Sequence, residues 1–277
     1  MAVSTDPRRD FTSMTAREPI PLARCALLIA CEEYPHLDID HYLDRIAALA
    51  REAEPLVRGG DNTVEQVQLL SEFLFVQKGF EGNRDAFGDP RNSFLNEVID
   101  RRLGIPITLS VIYLEVGRRL GLNLHGVSFP AHFLVKAVDD RGELIIDPFN
   151  SGAIIGLDEI RARLAQIYNQ PVEVHPAMLK AVGARSILTR MLRNLKGIYA
   201  SGADWPRTLA ALDRILILDP RALDEMLERA ALYERMECFS AALGDFQSFL
   251  SIAPDHPHAD GARESVMRLM RQVARIN

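Results

Sequence analysis

His132 and Asp147 are the residues whose types and spacing could support acid–base chemistry. Apolar and other residues alternate over 127–136, which contains His132, and a second apolar stretch over 143–147 ends at Asp147. Alternation of this kind predicts strands, and the polar run 139–142 between the two stretches predicts that they form a hairpin. One local turn would therefore bring the histidine and the aspartate together.

The length of the hairpin loop decides whether the pair can interact. An even loop, formed by residues 140–141 or 139–142, places His132 opposite Phe149 and makes Asp147 a diagonal neighbour on the same face, with Cα atoms within about 8 Å. The carboxylate could then hold one imidazole nitrogen while the other donates to a ligand. This arrangement predicts a peptide carbonyl or a small anion as the ligand near His132. An odd loop would leave only a histidine in one strand and an aspartate ending the next.

A His–Asp pair beside a buried helix is two-thirds of a papain-type triad, whose third member is a thiol at the start of that helix. The helix predicted over 106–120 is apolar on most sides and should be buried. Its first turn would lower the pKa of a thiol, but it begins at Pro106, which has no nucleophile. Thr108 and Ser110 are hydroxyls near this position. To act as nucleophiles, these hydroxyls would need a base within about 3 Å. The alternative interpretation is that each forms a local hydrogen bond to the helix backbone.

The cysteines do not supply the missing thiol. Cys25 and Cys31 lie in an apolar segment where a free cysteine is usually buried, and Cys31 is near the end of the predicted helix, where the dipole opposes a thiolate. Cys238 lies far along the chain. Three cysteines without a CxxC pair are typical of a reducing, cytoplasmic location. No His/Cys/carboxylate set predicts a metal or a cofactor.

A long loop is predicted over 79–93, and long loops in compact domains are often functional. At its end, Asn92, Ser93 and Asn96 are candidates to line a binding cleft, and Arg102 is a candidate to bind an anion. The alternatives stay open: the first three could cap the helix that follows, and Arg102 could lie at a solvated helix end.

The C-terminal part of the chain repeats itself with a period of 34 residues. The matched pairs are Tyr199/Tyr233, Trp205/Phe239, Leu209/Leu243, Leu212/Phe246, Leu216/Leu250, Leu218/Ile252 and Pro220/Pro254. This is the period of the tetratricopeptide repeat, in which stacked helix pairs bury a continuous core. The pattern predicts buried matched positions, a capping helix over 257–277 and a protein partner for the repeats.

Composition limits the other partners. The net charge of −6 gives no support for nucleic acid as a partner. No apolar run approaches the roughly 20 residues of a membrane span, so no membrane partner is predicted.

Several motif strings carry a resemblance to a known family. They are residues 91–96 (RNSFLN), 101–110 (RRLGIPITLS), 113–116 (YLEV), 118–122 (RRLGL), 129–135 (FPAHFLV) and 146–149 (IDPF). The chain resembles the SirB family of bacterial invasion-regulator-like proteins. That family combines a transglutaminase-like domain with C-terminal tetratricopeptide repeats, and some eukaryotic F-box proteins carry a similar module. The resemblance implies that the histidine slot is His132, the aspartate slot is Asp147 and the nucleophile slot lies near Pro106.

These observations together predict an α+β chain: a papain/transglutaminase-like domain over 19–176, followed by an all-α tetratricopeptide-repeat domain over 177–277. The polar residues 1–18 are predicted to be a disordered tail. The favoured function is a non-catalytic regulatory or protein-interaction protein with a degenerate transglutaminase-like cleft. The alternative is a hydrolase or acyl-transferase that uses Ser110 or Thr108 with His132 and Asp147.

Overall fold

The structure, a computed structural model, describes residues 6–276, with the backbone alone for 275 and 276. The described chain divides into two compact units, Met1–Met191 and Leu192–Asn277. The first combines helices with an antiparallel sheet and the second is helical. The predicted α+β fold class is therefore confirmed.

The helices of the first unit surround a central helix, α6. Their bounds are α1 Pro7–Thr15, α2 Leu22–Ala30, α3 Ile39–Val57, α4 Thr63–Ser71, α5 Leu95–Arg101 and α6 Pro106–Arg119. Helix α4 continues as a π-helical turn, Glu72–Gln77, and the short strands β1 (Glu81–Gly82) and β2 (Leu103–Gly104) pair in parallel. α6 is buried along most of its length because apolar residues occupy most of its faces, and α2, α3 and α5 pack against it.

The sheet has the strand order β6-β5-β4-β3-β7. The strands are β3 Leu124–Val127, β4 Leu134–Asp139, β5 Gly142–Asp147, β6 Ala153–Ile155 and β7 Ala181–Val182. On one face, Ile160 and Leu164 of helix α7 (Leu157–Tyr168) join Leu134 and Ile145 in an apolar core. Val135 of β4 points to the opposite face and is also fully buried, so the sheet is covered on both faces.

The hairpin of β4 and β5 has the predicted even loop. The pairing runs from Asp139 opposite Gly142 to Val135 opposite Ile146, which leaves residues 140–141 as the turn. This register is the one that the approach of His132 to Asp147 requires.

The single strand predicted over 127–136 is wrong. β3 ends at Val127 and β4 begins at Leu134, and these two residues pair with each other. The chain reverses at Pro130, where the His132 amide donates to the carbonyl of Phe129 at 3.1 Å and Ala131 has a left-handed φ of 51°. Proline has no amide hydrogen to continue a strand ladder, and the alternating pattern hides the reversal. His132 therefore lies in a loop rather than in a strand.

Both predicted domain limits differ from the structure. Of the tail predicted over 1–18, residues 1–5 lie outside the described part, but the rest contains α1, whose Phe11 is fully buried. Phe11 and Thr15 are buried, and Arg185 donates to the Thr15 carbonyl, so tertiary contacts order a segment whose composition indicated disorder. The first unit also continues past residue 176 to Met191, because β7 pairs with β3 and completes the sheet.

The second unit begins within α8 and contains the predicted repeats. Its helices are α8 Ala184–Ser201, α9 Trp205–Leu218, α10 Leu223–Arg235, α11 Phe239–Ile252 and α12 Ala259–Ile276. α9 and α11 begin 34 residues apart, at Trp205 and Phe239, and both contain 14 residues. Helix α12 lies where the capping helix was predicted.

An arginine of α10 ties the two matched helices together. Arg229 donates to Asp213 of α9 at 2.9 Å and to both carboxylate oxygens of Asp245 of α11 at 2.7 Å. Burial would lower the pKa of Arg229, but the hydrogen bonds and charges of the two aspartates outweigh it and raise that pKa. The bridge holds consecutive repeats through charge-assisted hydrogen bonds.

The expectation that all matched apolar positions are buried is only partly right. Leu212 and Phe246 are buried in both repeats. Leu218 is buried, but its match Ile252 is 42% exposed. The difference arises because α11 is followed only by α12 in the described chain, whereas α9 is followed by another helix pair.

Candidate functional site

Asp147 is the fixed centre of the candidate site. It ends β5 and is fully buried. Oδ1 accepts from His132 Nε2 at 2.9 Å, from the Phe149 amide at 3.1 Å and from the Asn150 amide at 3.3 Å. Oδ2 accepts from the Asn150 side-chain amide and from the Arg163 guanidinium of α7. A carboxylate held by this many donors has one position, and it orients the imidazole.

The ionisation of Asp147 decides which nitrogen of His132 faces a ligand. Burial alone would raise the pKa of Asp147, but hydrogen bonds and charge from His132, with further bonds from Asn150 and Arg163, hold that pKa at about 2. An ionised carboxylate only accepts, so Nε2 of a neutral His132 carries the proton and Nδ1 presents a lone pair. The expectation that the free nitrogen donates to an anion or carbonyl is therefore wrong for the neutral imidazole. It accepts a hydrogen bond instead.

The same shift predicts an acid-sensitive stability. Because the folded pKa lies below the ordinary 3.8, Asp147 stabilises the fold above about pH 4 and loses that contribution as the pH falls towards 2. The contribution should be about 2 kcal/mol at neutral pH. Urea unfolding at a series of pH values should show that the stability difference between wild type and Asp147→Asn shrinks below pH 4. A difference that stays constant from pH 6 to pH 3 would contradict this account.

Helix α6 offers the His132–Asp147 pair no nucleophile. α6 packs against the turn Pro148–Asn150 that follows Asp147, and Pro106 is its first residue. Ser110 Oγ donates to the Pro106 carbonyl at 2.7 Å. Thr108 Oγ1 donates to the Asn92 carbonyl at 2.8 Å and accepts from the Ile105 amide at 3.1 Å. Both hydroxyls are fully buried, and no hydrogen bond among the described residues joins either of them to His132.

Helix packing holds the turn behind Asp147. The Gly152 amide donates to the Asp147 carbonyl at 2.9 Å, and the Ser71 hydroxyl lies 3.2 Å from the Gly152 carbonyl and 3.1 Å from Tyr113 Oη. Gly152 has φ of 71°, and a Cβ there would lie 2.2 Å from Ser71 Oγ. Glycine is therefore required at this position for both reasons.

The three residues predicted to line the cleft, Asn92, Ser93 and Asn96, are buried, and Asn92 is hydrogen-bonded within its own loop. Asn92 is fully buried, and it accepts from Asn83 at 3.0 Å and donates to the Ala86 carbonyl at 2.7 Å. Ser93 and Asn96 are also buried, and in the described chain Ser93 Oγ and Asn96 Oδ1 have no hydrogen-bond partner. None of the three caps α5 through its side chain.

Arg102 is likewise used by the fold. It ends α5 with a left-handed φ of 62°, donates to the Lys78 carbonyl at 3.0 Å and stacks over the Phe80 ring at 4.7 Å. Burial and the neighbouring charge of Arg45 lower its pKa. The structure brings none of these four candidates into contact with His132.

Other residues, which the sequence analysis did not identify, surround His132. The Phe149 ring lies 5.9 Å from His132 and 6.0 Å from Phe87, and Arg84 lies over its face at 4.8 Å. The length of the 79–93 loop was the signal for Arg84 and Phe87. No feature of the sequence identified Arg163, because nothing in the pattern of its helix indicates that the helix packs against the hairpin.

Across residues 6–276, no three His, Cys, Asp or Glu side chains are grouped so that they could hold a metal ion. None of the helices described is both long and apolar enough to cross a membrane.

Comparison with known proteins agrees with this architecture. The pattern of the transglutaminase-like superfamily matches residues 40–193, and a tetratricopeptide-repeat pattern matches residues 195–267. The predicted combination of the two domains is thereby confirmed, while the SirB assignment itself stays a prediction.

Relatives match the chain over most of its length. A UPF0162 protein of Xylella fastidiosa is 37% identical over 92% of this chain and 92% of its own length. A UPF0162 protein of Vibrio cholerae is 30% identical over 86% of this chain and 85% of its own length. F-box only protein 21 of Mus musculus is 30% identical over 63% of this chain and 30% of its own length. The chain, in which a domain of the transglutaminase-like superfamily is followed by tetratricopeptide repeats, therefore belongs to the UPF0162 protein family.

Proposed function

We propose that this chain is a non-catalytic regulatory protein of the cytoplasm that acts through protein interaction. Its helical repeats bind a protein partner. Its transglutaminase-like cleft has lost the covalent step and keeps the His132–Asp147 pair as a binding element. The tetratricopeptide repeats support a protein-interaction role in general.

One contrast within the site carries the proposal. The base half of a triad is intact, with a 2.9 Å bond from His132 to a fully buried Asp147. The resemblance implies that the nucleophile slot lies near Pro106 at the start of α6, and proline has no reactive atom. A site built this way can orient and hold a ligand but has no group to form a covalent intermediate.

The alternative, a hydrolase or acyl-transferase that uses Ser110 or Thr108, has less support. Each hydroxyl is fully buried and hydrogen-bonded to backbone. To attack a substrate, either would have to leave that bond and reach both His132 and a bound ligand. A displaced thiol has less support still, because burial raises the pKa of Cys25 to about 12 and Cys31 is also buried.

An activity assay tests the loss of the covalent step. The purified chain should incorporate no amine into a glutamine-containing protein and should hydrolyse no ester. In both assays its rate should equal the rates of the His132→Ala, Ser110→Ala and Thr108→Val variants. Alkylation with iodoacetamide should leave partner binding unchanged. Turnover that disappears in Ser110→Ala, with stability unchanged, would establish the alternative and refute the proposal.

Photo-crosslinking tests the role of the repeats. A photoreactive residue in place of Ala231, which is exposed on α10, should form adducts with a protein partner in cells. The same residue in place of Arg161, exposed on α7, is the matched control and should form none. Equal adducts from both positions, or none from Ala231, would refute partner binding through the repeats.

A further inference from the structure

The surface around Phe149 combines three chemically different groups on one aromatic ring. We infer that Arg84, Phe87, Phe149 and His132 form a binding site for an acidic peptide segment of a protein partner. In this site Arg84 binds a carboxylate and His132 Nδ1 accepts a peptide N–H. The inference deepens the proposed function and rests on it in one respect, that the cleft is a binding element.

Arg84 is the first reason. It is exposed, and no carboxylate of the described residues lies at ion-pair distance from it. Its guanidinium donates to the neutral side-chain oxygen of Asn150 and lies 4.8 Å over the Phe149 ring. By contrast, Arg91 of the same loop forms an ion pair with Asp89 at 2.6 Å. A guanidinium held by a ring and an amide keeps donors for a carboxylate and loses little side-chain entropy when it binds one.

The rings of Phe149 and Phe87 form an aromatic platform under Arg84, and the fold holds this platform in place. Phe87 is 52% exposed and meets Phe149 edge-on at 80°. The loop that carries Phe87 is fixed by Asn92, which donates to the Ala86 carbonyl, and by Asn83, which accepts from the Ala86 amide at 3.1 Å. An exposed aromatic ring held this firmly is suited to packing against an apolar side chain of a ligand.

Gly82 shows how closely the chain approaches the platform. A Cβ at Gly82 would lie 2.5 Å from the Phe149 ring. Any larger residue there would displace the ring that Arg84 and Phe87 both contact. The position of the platform therefore depends on backbone packing rather than on a flexible loop.

His132 selects the class of ligand. Its side chain is 17% exposed, and its hydrogen bond to Asp147 uses Nε2. The lone pair on Nδ1 of the neutral imidazole repels the oxygens of a simple anion and attracts an N–H donor. A ligand that satisfies both His132 and Arg84 must carry a donor and an anion in one molecule. A peptide that contains Asp or Glu has both, an N–H donor in its backbone and a carboxylate in its side chain.

Fluorescence polarisation with the full chain tests this site. The probes are three pools of fluorescein-labelled, C-terminally amidated octapeptides that differ only in a central Glu, Gln or Lys. We expect the Glu pool to bind roughly tenfold more tightly than the Gln pool, because a charge-assisted hydrogen bond replaces a neutral one. The Lys pool should bind more weakly than both.

Matched variants separate the site from general electrostatics. Arg84→Gln should abolish the preference for Glu over Gln, and His132→Ala should weaken both pools. Arg161→Gln, which removes the same charge from an exposed helix position, should change neither. Three results would each overturn the inference. The Glu and Gln pools could bind equally, or the two arginine variants could lose equal affinity. The Glu pool could also fail to bind at a concentration of about 1 mM, which is roughly the weakest useful affinity. Such a result leaves the repeat crosslinking and the activity assay to decide the proposed function separately.

Discussion

Replacing Asp147 with alanine is expected to lower the free energy of unfolding of the first unit by about 3–5 kcal/mol, among the largest effects of any single substitution in the chain. The side chain is fully buried and bonded to His132, Arg163 and the turn at Asn150. Its removal leaves the partly buried guanidinium of Arg163 with only the half-exposed Glu159 as a carboxylate partner, and it leaves two backbone amides without acceptors.

Urea unfolding followed by far-UV circular dichroism measures this loss. The control is Asp158→Ala on α7, which removes an aspartate that also pairs with an arginine but whose side chain is 98% exposed. An exposed pair of this kind contributes about 0–1 kcal/mol, so the control should be nearly neutral. A loss below about 1 kcal/mol for Asp147→Ala would show that the network does not support the fold.

The second large effect is expected in the repeats. Leu216→Ala should cost about 2–5 kcal/mol, because Leu216 is only 8% exposed in α9 and its removal leaves a cavity that the surrounding helices fill only in part. The matched substitution Leu250→Ala should cost about 1 kcal/mol, since Leu250 is half-buried.

The single tryptophan makes this prediction measurable in one unit. Trp205 begins α9, so its fluorescence during urea unfolding reports on the repeat unit. The midpoint should fall clearly for Leu216→Ala and little for Leu250→Ala, while Asp147→Ala should leave the tryptophan transition nearly unchanged. Equal losses at both leucines would mean that the repeats are packed alike, contrary to the burial of α9 and α11.

The two halves of the molecule suggest a division of labour. The repeat unit is a stack of helices joined by an ion bridge at Arg229 and presents a continuous helical surface. The first unit holds a small polar site with a fixed imidazole, next to an unpaired arginine. The proposed function rests on these two features.

Local sequence pattern determined most of the architecture. The 34-residue offset predicted equivalent helices in the two repeats, and α9 and α11 begin 34 residues apart because a repeated apolar spacing produces the same helix twice. Proline at the first position of α6, after Gly104, marked the start of the buried helix. The polar turn at 140–141 set the register of β4 and β5, and that register brought His132 to Asp147. Each of these predictions depends on neighbours in sequence.

Only the tertiary structure decided what the candidate residues do. Asn92 and Arg102 have the residue types of ligand-binding groups. In the fold, Asn92 is hydrogen-bonded to Asn83 and to the Ala86 carbonyl, and Arg102 donates to the Lys78 carbonyl. Arg163 reaches Asp147 from a helix with its own amphipathic pattern, which carries no sign of the carboxylate 16 residues earlier. The ionised Asp147 that results makes the free nitrogen of a neutral His132 an acceptor instead of a donor. Side-chain role depends on which distant groups share a buried volume, and a one-dimensional pattern does not contain that information.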